Sequence, residues 1–212
     1  MKNKYVNFIT DEHLLNCIGN LHKAYLKAKS NISKQNFYSN KVDTIKLTFD
    51  SKFNGIDQES LIQSEILRQI DKSINNSIGT FHEQILGGIE GFELGNLSGF
   101  DIKAKDDSLF AVFQFQETSS NIQDCVFEKL AKQAKLFKNS ICYLVDFYSD
   151  KSYSEKWVLG NEEYTVSHKS VFKISADKFY SLLTKQDDAL NNLIKSLPHS
   201  ISGYSLLHSQ LP

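Results

Sequence analysis

Proline is nearly missing from this chain: two residues in 212, beside ten glycines, one methionine and one tryptophan. So little proline excludes a linker array, and 41% apolar content excludes disorder as the overall state. Cysteine is scarce too. Cys17, Cys125 and Cys142 are odd in number and far apart, form no C-x-x-C pair and have no histidine at ligand spacing, which excludes a disulfide framework and a structural zinc site. They read as small buried apolar residues. No apolar run approaches the length of a membrane span, and Met1-Lys2-Asn3-Lys4-Tyr5 opens no signal-like segment, so a cytoplasmic protein without membrane contact is expected. Neither sign of charge dominates, with 24 Lys and Arg against 25 Asp and Glu. A polyanion would be held by local charge asymmetry, not by bulk basic character.

What is present suffices for one folded domain, since a chain of this length buries roughly 70% of the surface it exposes when unfolded. Leu14, Ile18, Leu21 and Tyr25 recur at helical spacing and predict a helix from about Thr10 to Lys29, capped by Thr10 or Asp11. Ser30 to Lys41 is polar. Ile45, Leu47 and Phe49 alternate with Lys46 and Thr48, the pattern of a strand over Thr44 to Phe49. Ile62, Ile66, Ile70, Ile74, Ile78, Phe81 and Ile85 mark a long amphipathic helix from about Asp57 until Gly87-Gly88 ends it. Its other faces mix amides and charges: Arg68, Gln69, Asp71, Lys72, Asn75, Asn76, His82 and Glu83. Such a mixture suits a solvated surface or a ligand-facing one.

Phe100 to Lys103 and Leu109 to Gln116 read as a hairpin around Lys105-Asp106-Asp107-Ser108. A helix from Ser119 or Ser120 to Phe137 follows, then an apolar strand over Ile141 to Phe147, suited to cover on both faces. Ser149 to Lys169 reads as loops with a short strand around Trp157, and Val171 to Ile174 as another short strand. Ser175 caps a helix bearing Phe179, Tyr180, Leu182 and Leu183, and a last helix from Asp187 to Leu197 is stopped by Pro198. This order predicts a single α/β domain over 1–212, a mixed central sheet flanked by helices, with a helical extension over 1–41 and a core over 42–198.

A two-residue turn at Asp106-Asp107 pairs Lys105 with Ser108. Counted outward, it sets Asp101 opposite Val112, on the face that also carries Gln114 and Gln116. An acid beside alternating polar residues on a strand, followed directly by a helix, is a layout that metal-dependent nucleases use. The acid holds a divalent ion, which lowers the pKa of a bound water and neutralises charge on the scissile phosphate. The plainer readings are a turn-exit cap for Asp101 and a polar strand end for Gln114. Glu117, at the strand end with opposite parity, and Glu83, on the long helix, are further acids near the pattern. Lys129, Lys132, Lys135 and Lys138 offer phosphate contacts or a solvated lysine face.

The stretches Arg68-Gln69-Ile70-Asp71-Lys72, Asn75-Asn76-Ser77-Ile78-Gly79-Thr80-Phe81-His82, Gly99-Phe100-Asp101-Ile102 and Ile174-Ser175-Ala176-Asp177-Lys178-Phe179-Tyr180 resemble the type II restriction endonucleases whose members recognise GGNCC. The resemblance runs from about Val42 to Leu197 and is least around Trp157. It implies the restriction-endonuclease-like PD-(D/E)XK fold and Mg²⁺-dependent hydrolysis of double-stranded DNA, leaving 5′-phosphates. It also implies that Asp101 binds the metal. A two-fold DNA site is matched most simply by a homodimer, with the first helix a candidate for its contacts. Arg68, Lys72, Asn75, Asn76, His82 and Lys132 are the candidate DNA-binding residues.

In that family the strand after the aspartate reads Glu-x-Lys, and the matching positions here are Val112 and Gln114. Valine binds no metal, and glutamine orients a water or a phosphate oxygen without bringing positive charge. Two readings follow. In one, as in some relatives within the wider fold, a glutamate on the next helix supplies the missing carboxylate; Asp101, Gln114 and Glu128 then form a rearranged catalytic site with Asp101 and Glu128 as metal ligands. In the other, catalysis is lost and the chain is a DNA-binding protein. Glu128 also reads as a surface charge beside Lys129 and Lys132.

Overall fold

Capping side chains start the first helices where the pattern puts them. Thr10 Oγ1 accepts the His13 N–H at 3.1 Å and opens α1 (Asp11–Ser30). Asp57 Oδ1 accepts the N–H groups of Glu59 and Ser60, each at 3.0 Å, and opens the long helix α3 (Gln58–Gly87). The computed structural model describes residues 3–30, 44–95, 99–160 and 165–208, and the polar stretch after Ser30 lies outside them.

The chain forms two compact units, Ile18–Phe81 and the remainder, Met1–Cys17 with His82–Pro212. The division therefore falls inside α1 and α3. Residues 3–17 join the larger unit through contacts with its later elements. The Phe8 and Tyr180 rings stand 6.4 Å apart, those of Tyr5 and His199 5.5 Å, and His13 Nε2 meets the Gln84 carbonyl at 2.8 Å.

In the smaller unit, Thr44–Asn54 is a helix, α2, where alternation predicts a strand. Ile45, Phe49 and Phe53 also fall four apart, and the last two rings meet at 5.1 Å on one helix face. A short apolar run fits both periods, and this unit offers no strand among its described residues for a seventh to pair with.

The larger unit holds one mixed sheet in the order β1-β2-β3-β4-β6-β5. Strands β1 (Phe92–Leu94), β2 (Ile102–Ala104) and β3 (Leu109–Gln114) form an antiparallel meander. Helix α4 (Ser120–Leu136) crosses over to β4 (Ile141–Asp146), which runs parallel to β3. Then β6 (Thr165–Ser175) lies parallel to β4, with β5 (Ser154–Gly160) antiparallel at its outer edge. Helices α5 (Ala176–Thr184) and α6 (Ala189–His208) close the chain.

Both faces of the sheet are covered, as the apolar run of β4 requires. On one, Phe127, Leu130, Ala131 and Ala134 of α4 bury Phe110, Leu144, Val171 and Trp157. On the other, Phe113, Phe147, Phe179 and Tyr143 stack with ring centroids 5.1–6.0 Å apart. Two elements exceed their expected length. Strand β6 begins six residues before Val171, because its polar first half pairs only with β5 and carries no apolar alternation to announce it. Helix α6 runs through Pro198. Proline there costs about 3 kcal/mol in an isolated helix, but the buried stripe of Ala189, Leu193, Ser200 and Tyr204 continues past it and offsets that cost.

The cysteines divide as two buried and one exposed. Burial pushes the Cys17 and Cys142 thiols up to about 11, while Cys125 lies exposed on α4. Native protein at pH 8 is expected to take one equivalent of iodoacetamide quickly, at Cys125. The other two should alkylate only in denaturant. Peptide mapping of the labelled sites checks this.

Candidate active site

Asp101 stands at the entrance of β2, two residues after Gly99, whose φ of 75° favours glycine. Its main chain is pinned on both sides: the N–H donates to the Ala111 carbonyl at 2.9 Å, and the carbonyl accepts the Gly95 N–H at 3.1 Å. A Cβ at Gly95 would lie 2.2 Å from the Phe100 carbonyl oxygen, so the close approach of the two segments depends on glycine there. Ile102 pairs with Ala111 and Lys103 with Phe110, which carries Asp101 opposite Val112 as the turn predicts. Asp101 Oδ2 accepts the Phe113 N–H at 2.6 Å. Burial raises this carboxyl above the ordinary range, opposed by the Phe113 hydrogen bond and by the charge of Lys129.

A second carboxylate senses the charge of Asp101. Glu83, near the end of α3 and within the larger unit, is pushed up by burial and then by the negative charge of Asp101. Among the described residues it has no ion-pair partner. A half-buried acid whose ionised form is disfavoured by a neighbouring carboxylate is an electrostatic setting in which a divalent cation is stabilising. The described residues contain no group of three or more His, Cys, Asp or Glu placed to hold a metal. Two protein carboxylates fit an ion such as Mg²⁺, which keeps several waters and takes phosphate oxygens as further ligands.

Val112 packs against the core beneath α4, so the position opposite Asp101 is closed to metal. Gln114 is buried at the end of β3. Its Nε2 donates to the Gln116 carbonyl at 3.0 Å and to Thr118 Oγ1 at 3.2 Å, tying the strand to the loop that leads into α4. Its register neighbour Asp146 is occupied by the Tyr148 and Ser149 N–H groups and the Tyr153 hydroxyl.

The expected trio of Asp101, Gln114 and Glu128 is brought together only in part. Asp101 and Gln114 share the β2–β3 hairpin. Glu128 instead lines a groove of about 430 Å³ between α4 and the β5–β6 strands, with Asp124, Lys132 and His168. The α4 side chain that reaches toward Asp101 is the next one, Lys129: each residue turns 100° about the helix, so neighbours cannot share a target. Glu83 is the acid that meets Asp101 electrostatically. Helical spacing places it on the long helix, but only the tertiary fold sets that turn against the hairpin.

His82 turns inward. Its Nδ1 and the Tyr180 hydroxyl are 2.8 Å apart, and its ring stacks against Phe147 and Phe115 at 4.7 and 6.2 Å. Burial lowers its pKa to about 4, so it is neutral at pH 7 and belongs to an aromatic box rather than to a DNA-facing surface. In the smaller unit, Arg68 grips Glu65 through Nε and Nη2 at 2.7 and 2.5 Å, and Asn75 donates to Asp71 at 3.1 Å. Lys72 and Asn76 are exposed.

The model for the Eco47II restriction endonuclease family matches residues 6–205. The chain belongs to the Eco47II restriction endonuclease family. It is 32% identical to the type II restriction enzyme Sau96I of Staphylococcus aureus over 215 aligned positions, covering 96% of this chain and 82% of that one. With the type II restriction enzyme Eco47II of Escherichia coli it shares 28% identity over 209 positions, 92% of this chain and 86% of the other. This restriction endonuclease is a site-specific deoxyribonuclease, and its six-stranded mixed sheet between helices agrees with the restriction-endonuclease-like fold. Among its described residues no helix is long and apolar enough to cross a membrane.

Proposed function

We propose that this restriction endonuclease acts in the cytoplasm as a homodimer on a two-fold GGNCC-type site, with Mg²⁺ held between Asp101 and Glu83. The observation that supports the assignment of the centre is the half-buried Asp101 at the entrance of β2 with its Oδ2 fixed by the Phe113 N–H, and Glu83 near the end of α3 is the acid that its charge raises. When bound, the ion supplies Lewis-acid stabilisation of the phosphate and a more acidic water. Asp101 is oriented for that role by the Phe113 N–H, which fixes one carboxylate oxygen. Gln114 holds the strand end against the loop into α4, which keeps the hairpin and that helix in fixed relation. Lys72 and Asn76, exposed on α3, and Lys132, exposed on α4, are the polar groups offered to DNA; the guanidinium of Arg68 reaches solvent beside its Glu65 partner.

Cleavage of a mixed-sequence plasmid tests this reading. Discrete fragments ending in 5′-phosphates at GGNCC are expected with Mg²⁺ or Mn²⁺, none are expected with EDTA, and light scattering should give twice the mass of the chain. Specific binding in Ca²⁺ without fragments at any enzyme concentration would make the chain a DNA-binding relative. Cleavage at another sequence would overturn the target assignment alone.

A further inference from the structure

Hydrolysis of a phosphodiester concentrates negative charge on the non-bridging oxygens as water adds to phosphorus, and Gln114 brings no charge to meet it. The side chain of Lys129 crosses from α4 to the hairpin entrance. Its Nζ donates to the Gly99 carbonyl and sits 4.6 Å from the centroid of the Phe100 ring. These two residues lead directly into Asp101. Lys129 forms no ion pair within 4 Å among the described residues, and it is exposed, so its ammonium is available to an anion arriving at Asp101. The lysine that the sheet itself presents toward α4 is committed elsewhere: Lys173 Nζ lies 3.2 Å from Gln123 Oε1 and 4.9 Å from the Trp157 ring, while Lys132 and Lys135 line the groove beside β5 and β6. Lys173 pairs in register with Leu144, and Leu144 with Val112, which puts it three strand spacings from Asp101, roughly 14 Å.

We infer that Lys129 is a catalytic residue whose ammonium pairs with a non-bridging oxygen of the scissile phosphate. The inference depends on Asp101 being the centre. In the step it serves, the water oxygen bonds to phosphorus while the P–O3′ bond breaks. One water proton passes to solvent, and the departing O3′ takes one from solvent, so one water is consumed and a 5′-phosphate and a 3′-hydroxyl remain. Lys129 neither gives nor takes a proton; it holds charge that exists in full only in the transition state, which is why its effect falls on rate more than on binding. The Gly99 carbonyl and the Phe100 face restrain the ammonium beforehand, so little ordering remains to be done when DNA arrives.

The test is single-turnover cleavage with enzyme in excess, beside gel-shift affinity in Ca²⁺, for wild type, Lys129→Met, Lys129→Arg, the double variant Lys129→Met/Gln114→Lys and Asp101→Asn. Lys129→Met is expected to cleave about 100- to 1,000-fold more slowly, with affinity within about threefold, the loss of one charged contact being small beside the many phosphate contacts of a duplex. Lys129→Arg should retain most of the rate. Added methylammonium, or the new lysine at position 114, should restore at least tenfold to the Met variant. The inference is overturned if Lys129→Met cleaves at the wild-type rate, or loses rate only in proportion to affinity. It is overturned equally if the Met variant melts lower and neither methylammonium nor the lysine at 114 restores it, which would mark Lys129 as a support for the hairpin. Unimpaired cleavage by Asp101→Asn would instead sink the assignment of the centre itself.

Discussion

Asp101→Asn is expected to slow cleavage by about a thousandfold or more, since the Lewis-acid contribution it removes is several kcal/mol, and yet to leave the metal-free protein more stable. The sign follows from the direction of the shifts. Asp101 and Glu83 both bind their protons more tightly in the folded state than in the unfolded one. Their contribution to stability is therefore full below the unfolded carboxyl range and is lost as pH rises through the folded values, so at neutral pH the two ionised groups oppose folding. Asparagine removes one charge and keeps an oxygen for the Phe113 N–H. Glu83→Gln should act alike. Saturating Mg²⁺ or Ca²⁺ at 100 times its Kd should stabilise wild type by about 2.7 kcal/mol, some 5–10 °C in a chain of this size. It should leave Asp101→Asn nearly unmoved. Thermal melts with and without the ion decide the matter, and an equal ion-induced shift in both proteins would exclude Asp101 from the metal site.

His82 is expected to give the fold its sensitivity to acid. With the folded pKa at about 4 against an ordinary 6.5, the unfolded chain takes up a proton before the native one does. Stability contributed by the neutral ring is thus complete above pH 6.5 and drains away as pH falls toward 4, by up to roughly 3 kcal/mol. Its ring stacks on aromatic neighbours, the Tyr180 hydroxyl beside it is itself driven upward by burial, and burial is the cause that disfavours the charged ring. His82→Phe should fill the same box. It forfeits the bond to Tyr180, about 1–3 kcal/mol at neutral pH, but loses less on acidification, so the two stability curves should converge below pH 5. Urea melts at pH 7, 6, 5 and 4.5 measure this, and parallel curves would assign the acid sensitivity to other groups.

Most of this architecture is legible in residues that obey one period only. The isoleucines of α3 fit a helix and nothing else, the run of β4 fits a doubly covered strand, and the Asp106-Asp107 turn sets the register that puts Asp101 opposite Val112. Errors arise where local pattern underdetermines the outcome. Ile45, Leu47 and Phe49 satisfy two periods, and the choice between them depends on whether a strand partner exists. Pro198 ends a helix by local rules but not where a buried stripe carries on beyond it. At the site, Asp101 is visible from its hairpin. Sequence favours Glu128 as the second acid and offers Glu83 only as an alternative, because the acid that Asp101 raises is selected by tertiary packing and not by spacing along either helix. Lys129 is hidden for a similar reason: in sequence it is one lysine in a run, and only the seating of α4 selects it from Lys132 and Lys135.

The groups proposed for the chemistry here, Glu83, Asp101 and Lys129, and Gln114 that braces the strand between them, fall within one stretch of chain, from the close of α3 to the middle of α4. A centre written so compactly moves as a block when segments of chain are exchanged. A chimera joined to a relative on either side of that block, in the smaller helical unit or in the strands after β4, would carry the proposed centre whole.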